Sequence, residues 1–173
     1  DRQAYTNTLD YFIEKYGEDL GKIKYTDYSK SKTKFYSNIS QELFKKIDLK
    51  LPDGLFSQYA IKNGEKYFKL NECHIFVDYY IPEINLVIEF NGDCFHGNPI
   101  FYKDDEYPNP FHTNISAKEL QNNDKIRIQK LKDIHNIKTI IIWESDYLKN
   151  KEKTIETVLY KIHNIIKTKG NGK

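Results

Sequence analysis

The densest chemistry in the chain lies in Phe76-Val-Asp78-Tyr-Tyr-Ile-Pro-Glu-Ile-Asn-Leu-Val-Ile-Glu89-Phe-Asn91-Gly92. If the chain reverses about Glu83-Ile84, Asp78 falls opposite Glu89, and directly opposed residues share a face with Cβ atoms about 4.5–5.5 Å apart. Asn91, two places beyond Glu89, points the same way. The flanking positions are apolar on both faces (Ile75, Val77 and Tyr79; Phe76, Tyr80 and Val87), which suits central strands. Two carboxylates opposed there repel each other and lose hydration. A divalent cation relieves both costs, and hard oxygen ligands at this spacing suit Mg²⁺. A one-residue slip in register would instead send the acids to opposite faces.

Other reactive side chains cluster around this pair in sequence. Glu42, in the helix that precedes the strands, is a candidate third carboxylate, as a water-mediated metal partner or a base; alone it reads as an ordinary first-turn acid. His96 follows the Glu89 strand in Asp93-Cys-Phe-His96-Gly97, where an imidazole can move a proton or contact a phosphate. A later helix carries Asp124, Lys125 and Arg127, and a cation from it can reach the carboxylates and stabilise anionic charge. Zinc at Cys73, His74, Cys94 and His96 is disfavoured, because adjacent strand residues point to opposite faces. Phe101, Tyr102, Tyr107 and Phe111 alternate with acids in a proline-rich loop over 97–114, either packing that loop down or stacking on bases.

The elements that must hold these residues are legible as patterns. Leu9, Phe12, Ile13 and Tyr16 predict a helix over 8–28, weakened at Gly17 and Gly21, and a Ser/Lys/Thr-rich linker over 29–37. Ser40 is read as the N-cap of a short helix over 40–48. Strands near 56–62 and 66–70, hinged at Asn63-Gly64, read as a hairpin. His74–Ile81 and Leu86–Asn91 are strands, Ser116 to about His135 a helix, Ile137–Trp143 a buried strand, and 151–167 an amphipathic helix. The last strand therefore joins the sheet after a helical crossover, giving an α/β fold.

The 173 residues, 39% hydrophobic and 14% aromatic, suffice for one domain with a sizeable core and argue for a folded globule over a disordered chain. No apolar run approaches the ~18 residues of a membrane span, no secretory leader is visible, and two cysteines make no disulfide framework. A cytoplasmic location is the resulting expectation. The chain lacks Met and begins at Asp1, so a fragment of a longer protein is expected. Its net charge of +2 hides a segregated pattern: lysines crowd the segment after Lys149 and the stretch from Lys22 and Lys24 to Lys34, while acids gather in the middle. Basic flanks around an acidic centre suit a polyanion partner, though a solvated lysine-rich surface gives the same pattern.

The stretch VDYYIPEINLVIEFNGDCFHG, followed by KIRIQKLKDIHNIKTIIIWES, resembles the very-short-patch-repair-like nucleases of the PD-(D/E)xK superfamily, especially homing-type endonucleases of phage genomes. The likeness runs from about Ser40 to Tyr147. It implies a restriction-endonuclease-like core, a mixed central sheet flanked by helices, over 38–168. A helical extension over 1–37 would precede it, and a flexible tail over 169–173 would follow. It implies Mg²⁺-dependent hydrolysis of double-stranded DNA, with Mn²⁺ as a substitute, by a monomer or homodimer. By position, Asp78 matches the metal-holding aspartate and Glu89 the second acid. Asn91 stands where the motif lysine would be, His96 matches a histidine after the second strand, and Glu42 matches the acid of the leading helix. Asn91 carries no charge, so either the missing cation comes from elsewhere, with Lys125 and Arg127 the candidates, or this subgroup does without it. LDYFIEKYGEDLGKIKYTDY resembles a module found ahead of such domains, in which Lys22 and Lys24 would contact DNA. The rivals are a catalytically degenerate DNA-binding module of the same fold and a protein-interaction domain.

Overall fold

The computed structural model describes residues 9–32, 36–70 and 73–170, and the chain divides into two units, Asp1–Ser37 and Asn38–Lys173. In the first unit, α1 (Leu9–Tyr16) and α2 (Glu18–Lys32) replace the single helix expected over 8–28. Gly17 parts them at φ +83°, a left-handed conformation that costs glycine little. A Cβ on Gly21 would lie 2.6 Å from the Phe12 carbonyl oxygen, so the bare Cα lets α2 cross close to α1. Phe12 then meets Tyr25 edge-on, with ring centroids 5.8 Å apart. Helix α2 also takes up residues 29–32 of the expected linker, of which 33–35 lie outside the described residues.

The second unit is a mixed α/β layer structure. Its order is α3 (Asn38–Asp48), β1 (Gln58–Tyr59), β2 (Lys66–Leu70), β3 (Cys73–Val77), β4 (Tyr79–Ile81), a 3₁₀ turn (Pro82–Ile84) and β5 (Leu86–Asn91). It continues with α4 (Ala117–His135), β6 (Lys138–Trp143), α5 (Glu144–Lys149) and α6 (Lys151–Gly170). Four strands form a sheet in the order β1-β4-β5-β6. The first two contacts are antiparallel, and β6 lies parallel to β5 after the α4 crossover. A separate two-stranded ribbon pairs β2 with β3.

Alternation along β5 divides the interior. Leu86, Ile88 and Phe90 join Leu43, Phe44 and Ile47 of α3 and Ile155, Val158 and Ile162 of α6 in one core. Val87 faces the opposite side, into a smaller core with Phe68, Val77, Leu131 and Ile137. Among the described residues, no helix is long and apolar enough to cross a membrane.

Several expectations are corrected. Helix α3 begins at Asn38, so Ser40 is a buried residue inside it and not its N-cap. Ser116 does cap α4: its hydroxyl accepts from the Glu119 N–H while the Glu119 carboxylate accepts from the Ser116 N–H. Asn63 and Gly64 turn the chain at φ +67° and +75°, but β1 and β2 do not pair across that turn. Tyr59 instead stacks on Tyr79 at 5.3 Å in the larger core, while Phe68 is drawn into the smaller one, so burial overrides the hairpin. The single strand expected over His74–Ile81 breaks at Asp78 into β3 and β4, which belong to different sheets. Helix α5, six residues at the end of β6, went unanticipated. Helix α6 runs through Lys169, so the tail expected from 169 is helical at its start, and residues 171–173 lie outside the described residues.

Candidate functional site

The reversal about Glu83-Ile84 has the anticipated register. Tyr79 pairs with Ile88, Tyr80 with Val87 and Ile81 with Leu86, so Asp78 and Glu89 continue the same ladder by one step. Asp78 accepts a hydrogen bond from the Phe90 N–H at 2.8 Å, which fixes its carboxylate beside β5. Glu89 is 5% exposed and Asn91 likewise, both on the β5 face turned to α4.

Helix α4 completes the site with a stripe at three-residue spacing, which keeps side chains on one helical face. Gln121 donates to the Gly97 carbonyl at 2.7 Å. Asp124 Oδ2 lies 2.7 Å from His96 Nδ1 and 3.5 Å from the Asn91 amide nitrogen. Arg127 Nη2 sits 3.0 Å from Glu89 Oε1 and also donates to the Phe76 carbonyl of β3. The guanidinium thus ties β3 to β5. Leu131, one turn further on, is fully buried in the smaller core and anchors the stripe.

Electrostatics follow from this crowding. Burial pushes the Asp78 carboxyl up, partly opposed by the Phe90 N–H and by Arg127. Burial and the neighbouring Asp78 push Glu89 up to about 8, and Arg127 only partly offsets them. The Arg127 contact is one of charge without hydrogen-bond alignment: Glu89 Oε1 is buried and accepts no hydrogen bond. Asp124 engages His96 through Nδ1, leaving Nε2 as the ring nitrogen not committed to it.

The remaining candidates lie elsewhere. Glu42 is not brought to the pair. It stands on α3, across the sheet from Glu89, where Lys46 and Lys151 approach to 3.0 and 3.1 Å and hold its carboxyl below the usual range. Tyr147 also donates to it at 3.4 Å. Lys125 is exposed, about 100° around α4 from Asp124, so of the two candidate cations only Arg127 meets the carboxylates. In the first unit, Lys22 pairs with Glu18 at 2.7 Å and Lys24 sits 5.0 Å above the Tyr16 ring. Lys149, Lys153 and Lys161 line a groove of about 470 Å³ along the open edge of β6, with Ile141, Asp146 and Thr157.

The 97–114 loop is ordered by buried amides. Asn98 donates to Asp93 at 2.6 Å and accepts from the Ile100 N–H, and Asn109 donates to the Phe95 carbonyl. Phe101, Tyr107 and Phe111 remain exposed, and Phe111 stacks on Phe95 at 6.0 Å. Sequence reasoning missed the His96–Asp124 pair. The signal was the 121/124/127 spacing, in which Asp124 was passed over as a solvated helix acid. Comparison with protein-family models, with curated proteins and with solved structures returned no match to this chain.

Proposed function

We propose that the second unit is a metal-dependent DNA endonuclease of restriction-endonuclease-like type, hydrolysing phosphodiester bonds. The observation that carries this reading is the pairing of Asp78 and Glu89 beside Arg127, a few residues from the His96–Asp124 pair.

The donor set fits a hard divalent ion: two adjacent carboxyls, costly to bury, and a buried Glu89 Oε1 without a hydrogen bond. Among the described residues, no three His, Cys, Asp or Glu side chains stand ready as a complete ligand set. Asp78 and Glu89 would hold Mg²⁺ or Mn²⁺, which when bound acidifies water and neutralises charge on the phosphoryl oxygens. Asp124 orients the His96 ring, and Nε2 gives or takes the proton. Arg127 supplies positive charge where the family pattern has a lysine and this chain has Asn91. The lysines beside β6 add phosphate contacts that weaken as salt rises.

A second reading, DNA binding without cleavage, is favoured by one feature. Arg127 already stands against Glu89, and Asn91 against Asp124, which balances the site without an ion. Supercoiled plasmid incubated with the chain in Mg²⁺, Mn²⁺ or EDTA separates the two. Cutting that needs the ion and falls on the order of 10²–10³-fold in Asp78→Asn supports the nuclease. Retarded but uncut DNA supports the binding module, and cutting that persists in EDTA or in Asp78→Asn overturns the proposal.

A further inference from the structure

Strand β6 is an outer strand of the larger sheet, and among the described residues nothing pairs with its free edge. The Lys138 N–H donates to the Asn85 carbonyl at 2.9 Å, toward β5. Backbone groups of alternate strand residues point to opposite edges, so the N–H and C=O of Thr139 and Ile141 turn outward. An open edge is a template for another strand, and proteins blunt it with charge, proline or a bulge. From Thr139 to Trp143 this edge has none of these: the residues are Thr, three Ile and Trp, in unbroken register with β5. Ile141, at the middle, is 39% exposed.

The groove beside that edge selects the kind of strand that fits. Helix α6 starts past the end of β6 and doubles back along it, since Lys169 donates to the Glu83 carbonyl just ahead of β5. Lys149, Lys153 and Lys161 stand exposed in the groove against one acid, Asp146. Among the described residues none of the three lysines is in an ion pair. Lys153 and Lys161, eight residues apart on α6, are separated by about 12 Å along its axis. Four residues of an extended strand span about 13 Å, and alternate side chains share a face. Acids at every second position of an added strand therefore come into step with both lysines. A second copy of the chain is a poor occupant, because β6 laid against β6 would bring two sets of lysines together.

We propose that the free edge of β6 takes up an extended acidic segment of a partner protein as a further strand, its carboxylates meeting Lys153 and Lys161. Main-chain hydrogen bonds to Thr139 and Ile141 supply affinity, and the lysines select for alternating acids. This goes beyond the nuclease reading and does not rest on it: the strand's carboxylates would take lysines that otherwise face phosphate.

The test is fluorescence anisotropy of labelled peptides titrated with the full chain. One peptide alternates Glu with Val, and a second has the same composition with all its acids in one block. Two further versions of the alternating peptide are N-methylated on the Glu set or on the Val set, which blocks one strand edge or the other. The alternating peptide should bind, the block peptide should bind at least several-fold more weakly, and only one of the two N-methylated versions should lose binding. The double variant Lys153→Gln, Lys161→Gln should weaken binding about fivefold, the worth of two exposed charge pairs. Equal binding of the alternating and block peptides, or N-methylation that is harmless on both sets, reduces the contact to charge alone and overturns the proposal. Absence of peptide binding at millimolar concentration overturns it as well. If a short DNA duplex then binds and loses affinity in the double variant, the groove is a phosphate surface and the nuclease reading stands.

Discussion

Leu86, Ile88 and Phe90 point from β5 into hydrocarbon, whereas Val87, Glu89 and Asn91 point toward α4, and both sets are buried. The larger core could close with any well-fitting apolar set from α3 and α6. The other face closes partly through a smaller apolar core, Val87 against Leu131 and Ile137, and beyond it α4 brings Arg127 and Asp124 to meet Glu89 and Asn91. One strand, equally shut off from water on both sides, therefore separates what holds the fold from what the fold holds. The polar face is the less stable one by construction, since each carboxyl there gives up hydration that its partners only partly restore.

The largest effect should come from the apolar face. Ile88 is fully buried between the α3 and α6 side chains, so Ile88→Ala removes three carbon atoms and leaves a cavity. Chemical denaturation should show a loss of about 2–5 kcal/mol, with plasmid cutting by the still-folded fraction retained. A loss near zero would mean that the core rearranges around the gap and that the contrast between the faces is overdrawn.

A change on the polar face should act in the other direction, and with pH. The Glu89 carboxyl is pushed from its ordinary value up to about 8, so the folded chain keeps a proton that the unfolded chain releases near the ordinary value. Stability from this group is present at acid pH and is lost as pH rises through that interval. Glu89→Gln keeps the shape without the charge. In EDTA it should equal or fall below the parent in stability near pH 5 and exceed it near pH 8, by on the order of 1–3 kcal/mol. Thermal melts of the two proteins across this range give the answer, and a difference independent of pH would show that Arg127 fully satisfies the charge.

Much of this arrangement was legible in the sequence, and the exceptions share a cause. The register of the Asp78–Glu89 reversal followed from where the turn residues sit, because a strand period of two leaves few ways to bury both faces. The helical crossover to β6 followed from β-branched Ile140, Ile141 and Ile142 after the helical periodicity of Ser116 to about His135. What could not be read locally was which partner each segment takes. Asn63-Gly64 carries hairpin chemistry, yet Tyr59 and Phe68 are claimed by different cores, and no local signal encodes that. The break at Asp78 is of the same kind: an unbroken apolar run hides a residue that passes between two sheets. Asp124 was overlooked because one acid on a polar helix says nothing until the strand beneath it is known.

Glu42 supplies the sharpest control on the comparison, and the smallest effect. The resemblance noted in the sequence would nominate it for a metal site, but in this chain it belongs to the apolar side of the sheet, at the surface, where α3 meets α6. Its contacts with Lys46 and Lys151 are solvent-exposed pairs, a class screened by salt and worth little to stability. Both lysines hold its carboxyl below the usual range, so any contribution would appear above that range and fade as pH falls through it. Glu42→Gln should therefore leave plasmid cutting at the parental rate and leave the melting temperature unchanged at moderate salt. A fall in cutting as deep as that of Asp78→Asn would break the division between the two faces, since an acid on α3 would then be reaching the chemistry around the edge of the sheet.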